Sequence, residues 1–134
     1  MRHALPLIVA GCAAGALAAG ALATPDAPTR GEARMERMLA GKTPGPAQRC
    51  IRLREIDGTT IVDDTTILYR DGSRTVYRTD IPGGCPGMRD GRAIVTRQPS
   101  QSQLCAGEQI RVVEPQTGVE YGVCAIGEFV PYRS

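Results

Sequence analysis

Histidine and tryptophan are nearly missing from this chain. It has one histidine, His3, no tryptophan, one phenylalanine, Phe129, and one lysine, Lys42. With His3 in a segment that export would discard, the remaining chain lacks the commonest general base. Serine–histidine and cysteine–histidine catalysis lose their second member. No Cys-x-x-Cys pair is present, so a thioredoxin-like redox role is excluded. The cysteines stand far apart in sequence, without the close pairs that structural zinc prefers, which argues against a Cys₄ site. The formal net charge is only +2, far from the strongly basic footprint of a nucleic-acid binder.

What is present begins with an export signal. Met1-Arg2-His3 is a short basic start, Ala4 to Ala23 is apolar, and Ala21-Leu22-Ala23 has the small-x-small form of a signal peptidase site. The order predicts a signal peptide over residues 1–23, cleaved between Ala23 and Thr24. A transmembrane anchor is the competing reading, because the apolar stretch approaches the length of about 20 residues that spans a bilayer. Its many Gly and Ala residues make it a weak membrane helix. Val9-Ala10-Gly11-Cys12 also resembles a lipobox, which would make Cys12 a lipidated first residue. The chain stays apolar after Cys12, where a lipoprotein normally turns polar.

Beyond the signal, four cysteines remain: Cys50, Cys85, Cys105 and Cys124. In a small exported domain these predict two disulfides. Each would contribute roughly 2–4 kcal/mol to a core short of aromatic residues. Three pairings are formally open. The expected one is Cys85–Cys105, clamping two irregular segments around one strand, with Cys50–Cys124 joining the first and last strands of a closing sheet.

Residues 24–48 read as a leader. Thr29 and Glu32 have capping-box spacing. Met35, Met38 and Leu39 lie on one face of a short amphipathic helix over Glu32 to Ala40, stopped by Gly41. Gly41 to Gln48, with two prolines and two glycines, reads as a linker. From Arg49 to the end the pattern is β: Cys50–Leu53, Thr59–Val62, Thr65–Arg70, Arg74–Thr79, Arg92–Arg97, Gln109–Glu114, Val119–Cys124 and Ile126–Val130. Asp71-Gly72 predicts a hairpin tip, and the Gly- and Pro-rich run around Cys85 predicts a loop. The expectation is an all-β domain over residues 49–134, a small antiparallel barrel or sandwich of roughly five to seven strands.

Taken together, Cys50, Ile61-Val62-Asp63-Asp64-Thr65-Thr66-Ile67-Leu68, Tyr77-Arg78, Cys85-Pro86-Gly87-Met88, Leu104-Cys105 and Cys124-Ala125-Ile126-Gly127-Glu128-Phe129 carry a resemblance. Over Cys50 to Pro131 the chain resembles an uncharacterised family of small exported bacterial proteins of unknown function with four cysteines. The resemblance implies an exported four-cysteine domain and supplies no catalytic residue or cofactor.

The candidate chemistry is sparse. Arg70, Arg74 and Arg78 surround the hairpin. Arg74 and Arg78 are four apart on one strand, so they are expected to share a face; a three-residue loop from Asp71 to Ser73 would set Arg70 opposite Arg74 on that face, and a two-residue loop would point it the other way. Such a cluster would bind phosphate, lipid headgroups or acidic glycans. Its bland counterpart is a solvated strand face. Asp63 and Asp64, with Asp57 nearby, are the weak candidates for a metal site, against the ordinary use of Asp in turns. Tyr69, Tyr77 and Tyr121 are expected as half-buried packing residues. The leading expectation is a periplasmic or secreted, non-enzymatic binding or structural domain. It would be monomeric, with no cofactor, no nucleic acid and no membrane span after processing, and an envelope component as its partner. The alternatives are a lipoprotein anchored through Cys12 and a hydrolase using Asp63, Asp64 or Glu55.

Overall fold

The sharpest local signal, Asp71-Gly72, builds the centre of the molecule. The computed structural model describes residues 20, 22–97 and 102–134. Almost all of the expected signal peptide, Cys12 included, lies outside the described residues. The hairpin pairs β4 (Thr66–Asp71) with β5 (Thr75–Asp80), numbering the strands in chain order. Gly72 takes a left-handed φ of 59°, the conformation that its missing Cβ makes cheap. Leu68 faces Arg78 across the hairpin, and Tyr69 faces Tyr77.

Thr66, Ile67, Leu68 and Tyr69 are all buried in β4. A strand buried along consecutive residues is covered on both faces, and two different layers do the covering here. On one face lies α1 (Arg30–Leu39), whose Met35, Met38 and Leu39 pack on Val62, Leu68 and Val76. The helix starts at the predicted capping box: Glu32 N donates to Thr29 Oγ1 at 3.2 Å, and Thr29 N donates to Glu32 Oε2 at 2.7 Å. On the other face Ile67, Tyr69, Tyr77 and Phe129 meet Ile51, Leu104, Ile110 and Val112 in the main core. Phe129 is fully buried there, with its ring edge-on to Tyr69 at 5.9 Å.

Three antiparallel sheets result. The five-stranded sheet has the order β1-β10-β5-β4-β3, with β1 (Thr43–Pro44), β3 (Gly58–Ile61) and β10 (Phe129–Arg133). A two-stranded ribbon pairs β2 (Cys50–Arg52) with β7 (Gln103–Cys105). The third sheet has the order β6-β8-β9, from β6 (Ala93–Thr96), β8 (Gln109–Val113) and β9 (Glu120–Ala125). The architecture is all-β and sandwich-like, with no closed barrel among the described residues. The described residues form ten strands, against the expected five to seven. Two of them, β1 and β7, match none of the eight β segments read from the sequence; they are two and three residues long, too short to show a period. β1 also lies in the stretch read as a linker. There Gly45 N donates to Pro131 O at 2.7 Å and Gln48 N to Phe129 O at 2.8 Å, so Gly41 to Gln48 runs along the domain's last strand. None of the helices in the described residues is long and apolar enough to cross a membrane.

The disulfides correct the expected pairing. Cys50 is bonded to Cys105, and Cys85 to Cys124. The expectation of Cys50–Cys124 and Cys85–Cys105 assumed that the first and last strands close a barrel. Instead β2 pairs with β7, which sets Cys50 directly opposite Cys105. Cys124 lies on β9, whose inner side carries the loop of Cys85: a Cβ at Gly122 would collide with the Pro86 carbonyl.

Candidate functional site

The acidic turn, Asp63-Asp64, holds the fold together locally. Asp63 Oδ1 accepts from Thr65 N at 2.7 Å, Thr66 N at 2.8 Å and Thr65 Oγ1 at 2.8 Å. This is the side-chain-to-backbone bonding for which Asp is favoured in turns. The turn then anchors the Cys85 loop, because the Asp64 carbonyl accepts from Cys85 N and the Thr65 carbonyl from Ile81 N, both at 2.7 Å. Among the described residues no three His, Cys, Asp or Glu side chains are grouped to hold a metal ion. Glu55, the other acidic candidate, is ion-paired with Arg52 at 3.2 Å.

The structure distributes the three arginines differently from the expected cluster. Because Asp71 pairs with Thr75, the loop is Gly72 to Arg74 and Arg74 lies outside the strand. This one-residue offset puts Arg70 opposite Val76 and Arg78 opposite Leu68, so those two share the helix-facing side of the sheet. Each has a carboxylate partner: Arg70 Nε donates to Asp57 Oδ1 at 2.7 Å, and Arg78 Nη2 to Asp80 Oδ1 at 3.2 Å. Asp80 also accepts from Thr66 Oγ1 at 3.0 Å.

Arg70 has a second basic neighbour that sequence spacing did not show. A cleft of about 390 Å³ between α1 and the edge strand β3 is lined by Arg34, Met38, Gly58, Thr59, Thr60 and Arg70. Arg34 is ion-paired with Asp90 at 3.3 Å, and both arginines are about half exposed. Exposed ion pairs of this kind are worth roughly 0–1 kcal/mol, so a bidentate anion could compete with Asp57 and Asp90 for them. The cleft thus offers two guanidinium groups, two threonines and an apolar Met38 wall. Only Arg70 was legible as a candidate. Arg34 lies on the helix, remote in sequence, and the cleft exists because α1 docks.

A second surface was missed. Val95, Arg111 and Val123 are in register across the three strands of the third sheet. Val95, Val119, Tyr121 and Val123 are all exposed. Tyr121, expected as half-buried, is 43% exposed, whereas Tyr69 and Tyr77 are buried at 4% and 8%. Arg92 caps the Tyr121 ring, its guanidinium 3.4 Å from the centroid, and Arg111 bonds Glu120 at 2.8 Å. The sequence clue was the alternation of Val119, Tyr121 and Val123 with Gly122 and Cys124: small residues and the disulfide take the inner side.

No curated protein and no solved structure matches the chain. A family model does match, and it extends beyond the Cys50–Pro131 resemblance to include the helix and the leader. The chain belongs to a family of unknown function (DUF6491), matched over residues 1–133.

Proposed function

We propose that the chain, cleaved between Ala23 and Thr24, is a periplasmic or secreted, non-enzymatic binding domain of the bacterial envelope. The observation that carries this reading is the pairing of all four cysteines of residues 24–134 in two disulfides. Such bonds persist in oxidising compartments, and the basic start, apolar run and Ala-x-Ala site supply the route there. Disulfide sulfurs are not nucleophiles. Asp63 is committed to its turn and Glu55 to Arg52, which favours binding over hydrolysis.

The ligand of this reading is an anionic envelope component, held at the cleft of Arg34 and Arg70. The test uses the oxidised protein from Thr24 to Ser134, mixed with phosphatidylglycerol vesicles, phosphatidylcholine vesicles and an acidic glycan. Binding to one anionic probe, salt-sensitive and lost in the Arg34→Ser/Arg70→Ser variant, supports the cleft. Equal behaviour of parent and variant contradicts it. Intact mass of protein recovered from the envelope checks the processing, since a chain beginning at acylated Cys12 would replace a secreted domain with a lipid-anchored one.

A further inference from the structure

The exposed apolar side chains of this protein are concentrated, not scattered. Apart from Leu22, in the expected signal peptide, the large ones among the described residues are Val95, Val119, Tyr121 and Val123, each between 43% and 50% exposed. Val95 and Val123 stand at the two ends of one row across the third sheet, with Arg111 between them. Tyr121 lies on β9 beside Val123, and Val119 directly precedes that strand. An apolar side chain exposed singly needs no explanation, but a group of them on one face marks an interaction surface. The surface is preformed. On its inner side Ile110 and Val112 are fully buried in the main core, and the Cys85–Cys124 disulfide fixes β9 from beneath. Arg92 braces the Tyr121 ring while donating to the Gly87 carbonyl.

Charge identifies the occupant. The neighbouring outward row is Ala93, Val113 and Glu120, and Arg111 bonds Glu120 diagonally across the two rows at 2.8 Å. The patch therefore holds a positive and a negative group side by side. A uniformly charged partner, such as the anion of the basic cleft, would meet one of them with its own sign, and like charges juxtaposed in an interface oppose binding. A second copy of the same face meets both correctly. A two-fold axis passing between Arg111 and Glu120 sets the partner's Glu120 against Arg111 and the partner's Arg111 against Glu120, the self-complementarity that such symmetry requires. The formal net charge of only +2 puts little long-range repulsion between two chains.

We propose that two copies of this chain associate face to face through the third sheet, in place of the monomer expected from the sequence. Val95, Val119, Tyr121 and Val123 supply the apolar contacts, and Arg111 and Glu120 exchange partners between the copies to fix the register. Sheets pack in this way about 10 Å apart with their strands roughly aligned. Three strands of four to six residues make a small face, so the dimer is of the weak, concentration-dependent kind. It uses neither Arg34 nor Arg70 and stands or falls separately from the anion cleft.

The test is analytical ultracentrifugation of the oxidised protein from Thr24 to Ser134, from about 1 μM to about 1 mM, the span of weak association. The parent's mean mass should rise from one chain toward two. Arg111→Glu and Glu120→Arg should each weaken the dimer by at least about tenfold, because like charges then face each other across the axis. An equal mixture of the two variants should recover it, since Glu at position 111 of one chain then meets Arg at position 120 of the other. Both variants have lost the pair within the chain, so recovery arises only between chains. Should either variant fail to fold, Val95→Thr/Val123→Thr decides, because it keeps the β-branched shape on an exposed strand face; it should stay monomeric where the parent dimerises. A parent that is monomeric throughout, variants that dimerise like the parent, or a mixture no tighter than its components would overturn the proposal.

Discussion

Gly31 lies so close to Val62 that a Cβ at position 31 would collide with the Val62 carbonyl oxygen. This contact seats the first turn of α1 against the chain just after β3. Glycine normally weakens a helix relative to alanine by about 1 kcal/mol, so Gly31→Ala would stabilise an isolated helix. In this protein the sign should reverse. We expect a loss of about 1–3 kcal/mol, as for other overpacked sites, with α1 displaced and Met35 and Met38 exposed. Chemical denaturation of the variant, with methionine oxidation rates as a second readout, checks this.

The two disulfides should differ in what they protect. They close segments of 55 and 39 residues, so the chain-entropy model assigns about 4 kcal/mol to each. Cys50→Ala/Cys105→Ala should loosen the ribbon and with it the packing of Ile51 and Leu104 in the main core. Cys85→Ala/Cys124→Ala should free the glycine-rich loop around Cys85, which otherwise rests on the Asp64 and Thr65 carbonyls. Limited proteolysis should cut near residues 82–91 only in the second variant.

Burial pushes the Tyr69 phenol well above its ordinary value of about 10. In the unfolded chain the same phenol ionises near that ordinary value. Its contribution to stability is therefore unchanged below about pH 10 and falls by about 1.4 kcal/mol per pH unit above it. Tyr69→Phe should flatten this alkaline decline. At neutral pH it should leave stability unchanged or raise it by about 1 kcal/mol, because an unpartnered buried hydroxyl is removed. Urea titrations across pH 8–11 measure both effects.

The ion pair of Arg70 and Asp57 lies at the surface. Asp57→Asn should change stability by less than about 1 kcal/mol. It should also strengthen anion binding at the cleft, because a competitor for the guanidinium is gone.

The elements of this fold were legible in the sequence wherever they are long enough to show a period. The hairpin tip at Asp71-Gly72, the capping box of Thr29 and Glu32, and eight of the ten strands follow from local residue chemistry. Strand partnership does not, because it depends on contacts distant in the chain. Cys105 is drawn to Cys50 by three residues of β7 that carry almost no pattern. The arginines show the same limit on a smaller scale. Moving the loop by a single residue takes Arg74 out of the strand and sets Arg70 against Val76. Arg34 reaches the cleft only through the docking of a helix that was readable as amphipathic but not as docked. Leu53, Tyr69, Ile94 and Leu104 meet only because three sheets converge, and nothing in their spacing announces it.

The central claim, an exported domain stapled by two specific disulfides, is tested most directly by non-reducing peptide mapping of protein recovered from the cell envelope. The account predicts a chain that begins at Thr24, a peptide joining Cys50 to Cys105 and another joining Cys85 to Cys124. Four free thiols, an intact residue 1–23 segment, or a peptide joining Cys50 to Cys124 would contradict it.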